Sequence, residues 1–172
     1  MPELDCEISR DGLLGGRVTI LQPAGGYRTA IDPVLLAAAV PAQPGETVLD
    51  AGSGTGAATL ALAARLEGVG VVGLDSDPGF IGLARNSAEE SGLSQSIRFV
   101  EGDLLSPPPD LGSCRTWSIV ASGGSSSQET SVCQPFPFEI GDRRWVLMTK
   151  TAGFSCWEGA AGWMWSSPSL HA

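Results

Sequence analysis

The stretch from Thr47 to Leu66 constrains this chain most, because it sets three glycines at alternate positions between an apolar run and an alanine-rich run. Thr47-Val-Leu-Asp50 reads as a short buried strand and Ala51 to Gly56 as a tight turn. Ala57-Ala-Thr-Leu-Ala-Leu-Ala-Ala-Arg-Leu66 reads as a helix of strong formers. Glycine has no Cβ and tolerates positive φ, so Gly52, Gly54 and Gly56 let the backbone approach a ligand closely at this turn. A dinucleotide fingerprint would space its glycines G-x-G-x-x-G and aim a helix N-terminus at a pyrophosphate. The spacing here is G-x-G-x-G, and the carboxylate of Asp50 precedes it. An anion at that strand end favours a cationic ligand over a pyrophosphate.

Flanking segments extend the pattern. Asp32-Pro33 before Val34-Leu-Leu-Ala-Ala-Ala-Val40 combines a capping residue with a proline at the first helical position. Val71-Val-Gly-Leu-Asp75 reads as a second buried strand, and Asp77-Pro78 starts a helix that runs to about Ser91 and stops at Gly92. Ile97-Arg-Phe-Val-Glu101 alternates as a third strand, and Trp117-Ser-Ile-Val-Ala121 reads as a fourth. Strands alternating with helices specify an α/β fold with a parallel sheet and right-handed crossovers.

Each of the first three strands ends at an acid. Asp50 can accept from an ammonium group directly or through water. Asp75, with Ser76 beside it, is placed to bond both hydroxyls of a ribose, and Asp103 can accept from an adenine amino group. S-adenosylmethionine offers an ammonium, a sulfonium, a ribose and an adenine. The candidate cofactor residues are therefore Asp50, Gly52, Gly54, Gly56, Asp75, Ser76 and Asp103.

With these residues in place the chain resembles the class I S-adenosylmethionine-dependent methyltransferases of Rossmann-like fold. Within them it is similar to the small-domain group related to bacterial tRNA adenine-N(6) methyltransferases. Residues 12 to 121 carry the resemblance: Asp50 and the three glycines match the first motif, Asp75 the ribose-binding acid and Asp103 the adenine-contacting acid. Gly25-Gly-Tyr-Arg-Thr-Ala-Ile-Asp-Pro-Val-Leu-Leu36 looks like the segment these enzymes fold over the methionine end of the cofactor. The resemblance implies methyl transfer to a nucleic-acid adenine amine, with tRNA as the expected partner. A cofactor-binding module without catalysis and an NAD-dependent oxidoreductase are the alternatives.

Family members end the fourth strand in an Asn-Pro-Pro-Tyr type motif, which holds the target amine against the methyl donor. Here the strand runs into Ser122-Gly-Gly-Ser125, whose flexibility suits positioning poorly. No catalytic residue is assigned. The composition also changes at this point: all five tryptophans and a Ser-rich run lie beyond residue 115. The expected organisation is a methyltransferase domain over 1–121 and an atypical, poorly ordered tail over 122–172. The sheet should be incomplete, with the fourth strand as its open edge. Truncation, a shifted reading frame, or Trp157, Trp163, Met164 and Trp165 serving as an apolar cover or as a membrane-surface or partner patch would each account for such a tail.

Charge and composition exclude other chemistry. A net charge of -9 opposes a non-specific grip on nucleic acid, so an RNA substrate would need a local basic patch. His171 is the single histidine, and Cys6, Cys114, Cys133 and Cys156 form no C-x-x-C pair, so neither a metal site nor a Ser-His-Asp triad is expected. Met1 to Asp11 lacks the basic and apolar regions of a secretory signal, which points to the cytoplasm. The run Val34–Val40 falls far short of the ~20 residues of a membrane span.

Overall fold

The structure, a computed structural model, describes residues 7–25, 28–103, 106, 108, 111, 116–122, 144–149 and 153–158. Its centre is the predicted alternation. Strand β3 (Thr47–Ala51) leads into helix α2 (Ala57–Arg65), β4 (Gly70–Asp75), α3 (Pro78–Glu90) and β5 (Ile97–Glu101). Asp77 starts α3 by accepting from the amides of Gly79 and Phe80, with Pro78 at the first position. Helix α1 (Asp32–Ala39) precedes β3, and β6 (Thr116–Ser122) returns to its other side.

The sheet order is β5-β4-β3-β6-β7-β8. The chain steps outward from β3 to β5 and then back across β3 to β6, so the order reverses beside β3. Open α/β sheets bind ligands at such a reversal, outside the carboxyl ends of the strands. Pairing of Ala51 with Leu74, and of Asp75 with Glu101, brings these ends level. Because β3, β4 and β5 step in one direction, right-handed crossovers place α2 and α3 on the same face. One core cluster joins Leu36, Ala37 and Val40 of α1 and its exit to Val48, Ala58, Ala61, Leu62 and Val71. A second joins Leu60, Ile81, Ala84, Ala88 and Phe99 to Val18.

Asp32 falls inside α1, with Ile31 at its cap position, and two larger features differ from expectation. An antiparallel hairpin, β1 (Ile8–Leu13) with β2 (Val18–Pro23), precedes the α/β unit. It docks on α3 through hydroxyls: Ser87 accepts from the amide of Leu21 at 2.9 Å and Ser91 from the amide of Thr19 at 3.0 Å. The second difference corrects the expected open edge at β6. Strand β7 (Arg144–Thr149) pairs parallel to β6, and β8 (Gly153–Glu158) pairs antiparallel to β7. Arg144-Trp-Val-Leu-Met-Thr149 supplies the partner that satisfies the backbone groups of β6. Trp157 falls within β8, opposite Trp145. Residues 123–143, Trp163, Met164 and Trp165, on which the expected poor order of the tail bears, lie outside the described residues.

Candidate cofactor site

The glycine turn is folded over the end of β4 by backbone bonds. The amides of Gly52 and Ser53 both donate to the carbonyl of Leu74, at 2.8 and 3.0 Å. The amide of Gly54 donates to Asp75 Oδ2 at 2.7 Å. Gly52, Gly54 and Gly56 all have positive φ, at 80°, 53° and 85°. Their surroundings separate them. A Cβ on Gly52 or Gly54 would meet nothing within 4 Å, whereas one on Gly56 would lie 2.7 Å from Phe99 Cζ and 3.1 Å from Ala84 Cβ. Two of the three glycines thus present bare backbone to open space. The third lets the start of α2 press against β5 and α3.

Asp50 sits beneath this turn, 2% exposed. Its Oδ2 accepts from the Thr59 hydroxyl at 2.6 Å and the Thr59 amide at 3.1 Å, which ties β3 to the first turn of α2. Burial pushes the carboxyl up to about 6 against the pull of these bonds, and the Asp75 charge pushes the same way. Asp75 is half-buried at the end of β4; its Oδ1 accepts from the Asp77 amide at 2.9 Å. Ser76 and Asp103 are exposed, and the Asp103 carbonyl accepts from the Ser106 amide at 3.1 Å. Among the described residues no group of three or more potential metal ligands occurs, and no helix is long and apolar enough to cross a membrane.

Residues that sequence reasoning passed over complete the site. Ser53, 9% exposed, carries a buried hydroxyl without a hydrogen-bond partner within the turn. Phe99 packs into the space left by Gly56 and also by Gly73, where a Cβ would lie 2.5 Å from the ring. A glycine inside the otherwise apolar run Val71-Val-Gly-Leu74 was the signal available for that contact.

Residues 48–125 match the family described as a methyltransferase domain. Over these residues, under half of the chain, it is similar to methyltransferase domains. The matched methyltransferase segment contains the turn, Asp50, Asp75 and Asp103. Over 60 residues it is 42% identical to release factor glutamine methyltransferase of Chlorobaculum tepidum, covering 35% of this chain and 20% of that protein. Over another 60-residue match it is 45% identical to ribosomal protein L11 methyltransferase of Deinococcus radiodurans, covering 35% of this chain and 22% of that protein. The chain therefore matches only about a fifth of the length of these two relatives. The fold is shared with the tRNA (uracil-54, C5)-methyltransferase of Pyrococcus abyssi, solved with S-adenosyl-L-homocysteine. The TM-score is 0.56 at 22% identity, over 82% of this chain and 34% of that one. The family match gives the oxidoreductase alternative no support.

Proposed function

We propose that this chain binds S-adenosylmethionine at the glycine turn and belongs to an enzyme that transfers its methyl group to a nitrogen acceptor. The observation that carries this reading is the pairing of the Asp75 carboxylate with the Gly54 amide, which sets a ribose-binding acid beside the bare backbone of Gly52 and Gly54. Both Asp75 oxygens already accept one bond, and a carboxylate oxygen can accept a second. Asp50 and Asp75 together make the strand ends anionic, which suits a ligand bearing an ammonium and a sulfonium. When bound, the cofactor supplies an electrophilic methyl group; the chain's residues bind and orient it.

The acceptor class we propose is an exocyclic adenine amine of tRNA, on the resemblance carried by residues 12 to 121. Ser122-Gly-Gly-Ser125 in place of a rigid amine clamp favours a second reading, cofactor binding without transfer. Incubation with a radioactive methyl donor and, separately, tRNA or ribosomal protein tests both. Label in adenine supports the first reading and label in protein replaces its acceptor. Cofactor binding with no label in either supports the second.

A further inference from the structure

Residues 28–31 lead into α1, whose position beside α2 relates them to the glycine turn. Arg65, the last residue of α2, donates to the carbonyls of Ala37, at 2.8 Å, and Val40, which fixes the carboxyl ends of α1 and α2 together. Leu36, Ala37 and Val40 share one core cluster with Ala58, Ala61 and Leu62, so α1 lies against α2 with the two carboxyl ends together. α2 begins at Ala57, directly after the turn, and the amino end of α1 therefore lies on the turn's side. Hairpin strand β2 points toward that end. Thr19 bonds Ser91 and Leu21 bonds Ser87, so β2 climbs α3 from its carboxyl toward its amino end. Two residues of strand, ~6.6 Å, match four residues of helix, ~6 Å.

Gln22 joins the hairpin to this segment. It is 3% exposed, far more buried than a glutamine usually is. Its Nε2 donates to Asp11 Oδ2 at 2.9 Å, and its Oε1 accepts from the Thr29 amide at 2.9 Å. A carboxylate can only accept and a backbone amide only donate, so one orientation of the Gln22 amide satisfies both partners. Asp11 Oδ2 also accepts from Arg28 Nη2 at 2.6 Å and from the Ser9 hydroxyl at 2.9 Å. The residues entering α1 are thus held at two successive positions, by backbone at Thr29 and by side chain at Arg28.

We propose that Gln22 is a positioning residue for cofactor binding, fixing residues 28–31 against the hairpin so that they form a ready-made rim beside the glycine turn. The proposal rests on the reading of that turn as the S-adenosylmethionine site. A segment ordered beforehand does not lose its freedom on binding, so releasing it weakens the cofactor without any contact to the cofactor being removed. Gln22→Ala and the volume-keeping Gln22→Met both release it. Asp11→Asn keeps it, because the amide oxygen stands in for Oδ2 and still accepts from Gln22, Arg28 and Ser9.

The test uses the full chain, with amide hydrogen exchange at Thr29 in the free protein and calorimetry with S-adenosylhomocysteine. In a Gln22 variant that keeps a cooperative thermal transition, Thr29 should exchange at least roughly tenfold faster. The Kd should rise roughly tenfold. Asp11→Asn should change neither. Faster exchange with an unchanged Kd overturns the proposal, as does unchanged exchange in the Gln22 variants or the same losses in Asp11→Asn. Absence of binding in the unaltered chain overturns the cofactor reading and the proposal with it, and is distinguished because it does not depend on Gln22.

Discussion

Asp50 shows how a single side chain couples the site to stability. Its folded-state pKa of about 6 lies above the ordinary aspartate value near 3.8. Between those values the native state holds a proton that the unfolded chain has released, so stability falls as pH rises. The stabilisation is fully present below about pH 4 and lost as the pH passes through about 6. At ~1.4 kcal/mol for each tenfold change in proton affinity, the loss between pH 4.5 and 7.5 is about 2 kcal/mol. In Asp50→Asn, whose amide oxygen can still accept from Thr59, this component of the pH dependence should disappear in urea titrations across that range. An unchanged slope would assign it elsewhere. The sequence placed Asp50 at the end of a strand beside the turn, but not its burial or its bond to Thr59. Those depend on how α2 folds back onto β3.

At the scale of elements, the glycine turn joins two different demands that alanine substitution separates. Gly56→Ala would combine strain at φ 85° with a Cβ driven into Phe99, and should cost about 2–4 kcal/mol in thermal or urea unfolding. Gly52→Ala meets open space and carries only the strain of φ 80°, about 1–2 kcal/mol. Its larger effect should be on cofactor affinity, because its methyl group enters the space a ligand would use. Equal losses of stability in the two variants would contradict this division. Three alternate glycines are plain in the sequence; which of them faces a ligand is not, since Phe99 lies more than forty residues along the chain from Gly56. The hairpin escaped sequence reading for a similar reason. Ile8–Leu13 places a half-buried face against β2, and what fixes β2 is a pair of helix hydroxyls far along the chain. Ser87→Ala should leave the buried Leu21 amide without its partner and cost about 1–3 kcal/mol, read by urea denaturation. A loss below a few tenths would mean that the hairpin is held by packing alone.

Across the whole molecule, β3 to β5 were legible because each element carries its own start and stop signals, such as Asp77-Pro78 and Gly92 around α3. The additional strands β7 and β8 lack such punctuation, and their place is set by pairing with β6 and with each other. The sheet then reverses its order beside β3 and brings Asp50, the bare turn and Asp75 to one end. The account's central claim is that this end binds S-adenosylmethionine, and calorimetric titration of the full chain with S-adenosylhomocysteine and with NAD tests it most directly. The account predicts binding of S-adenosylhomocysteine in preference to NAD, weakened by about 1–3 kcal/mol in Asp75→Ala, which removes both the proposed ribose acceptor and the partner of the Gly54 amide. NAD bound as tightly as S-adenosylhomocysteine, or an affinity indifferent to Asp75, would contradict it.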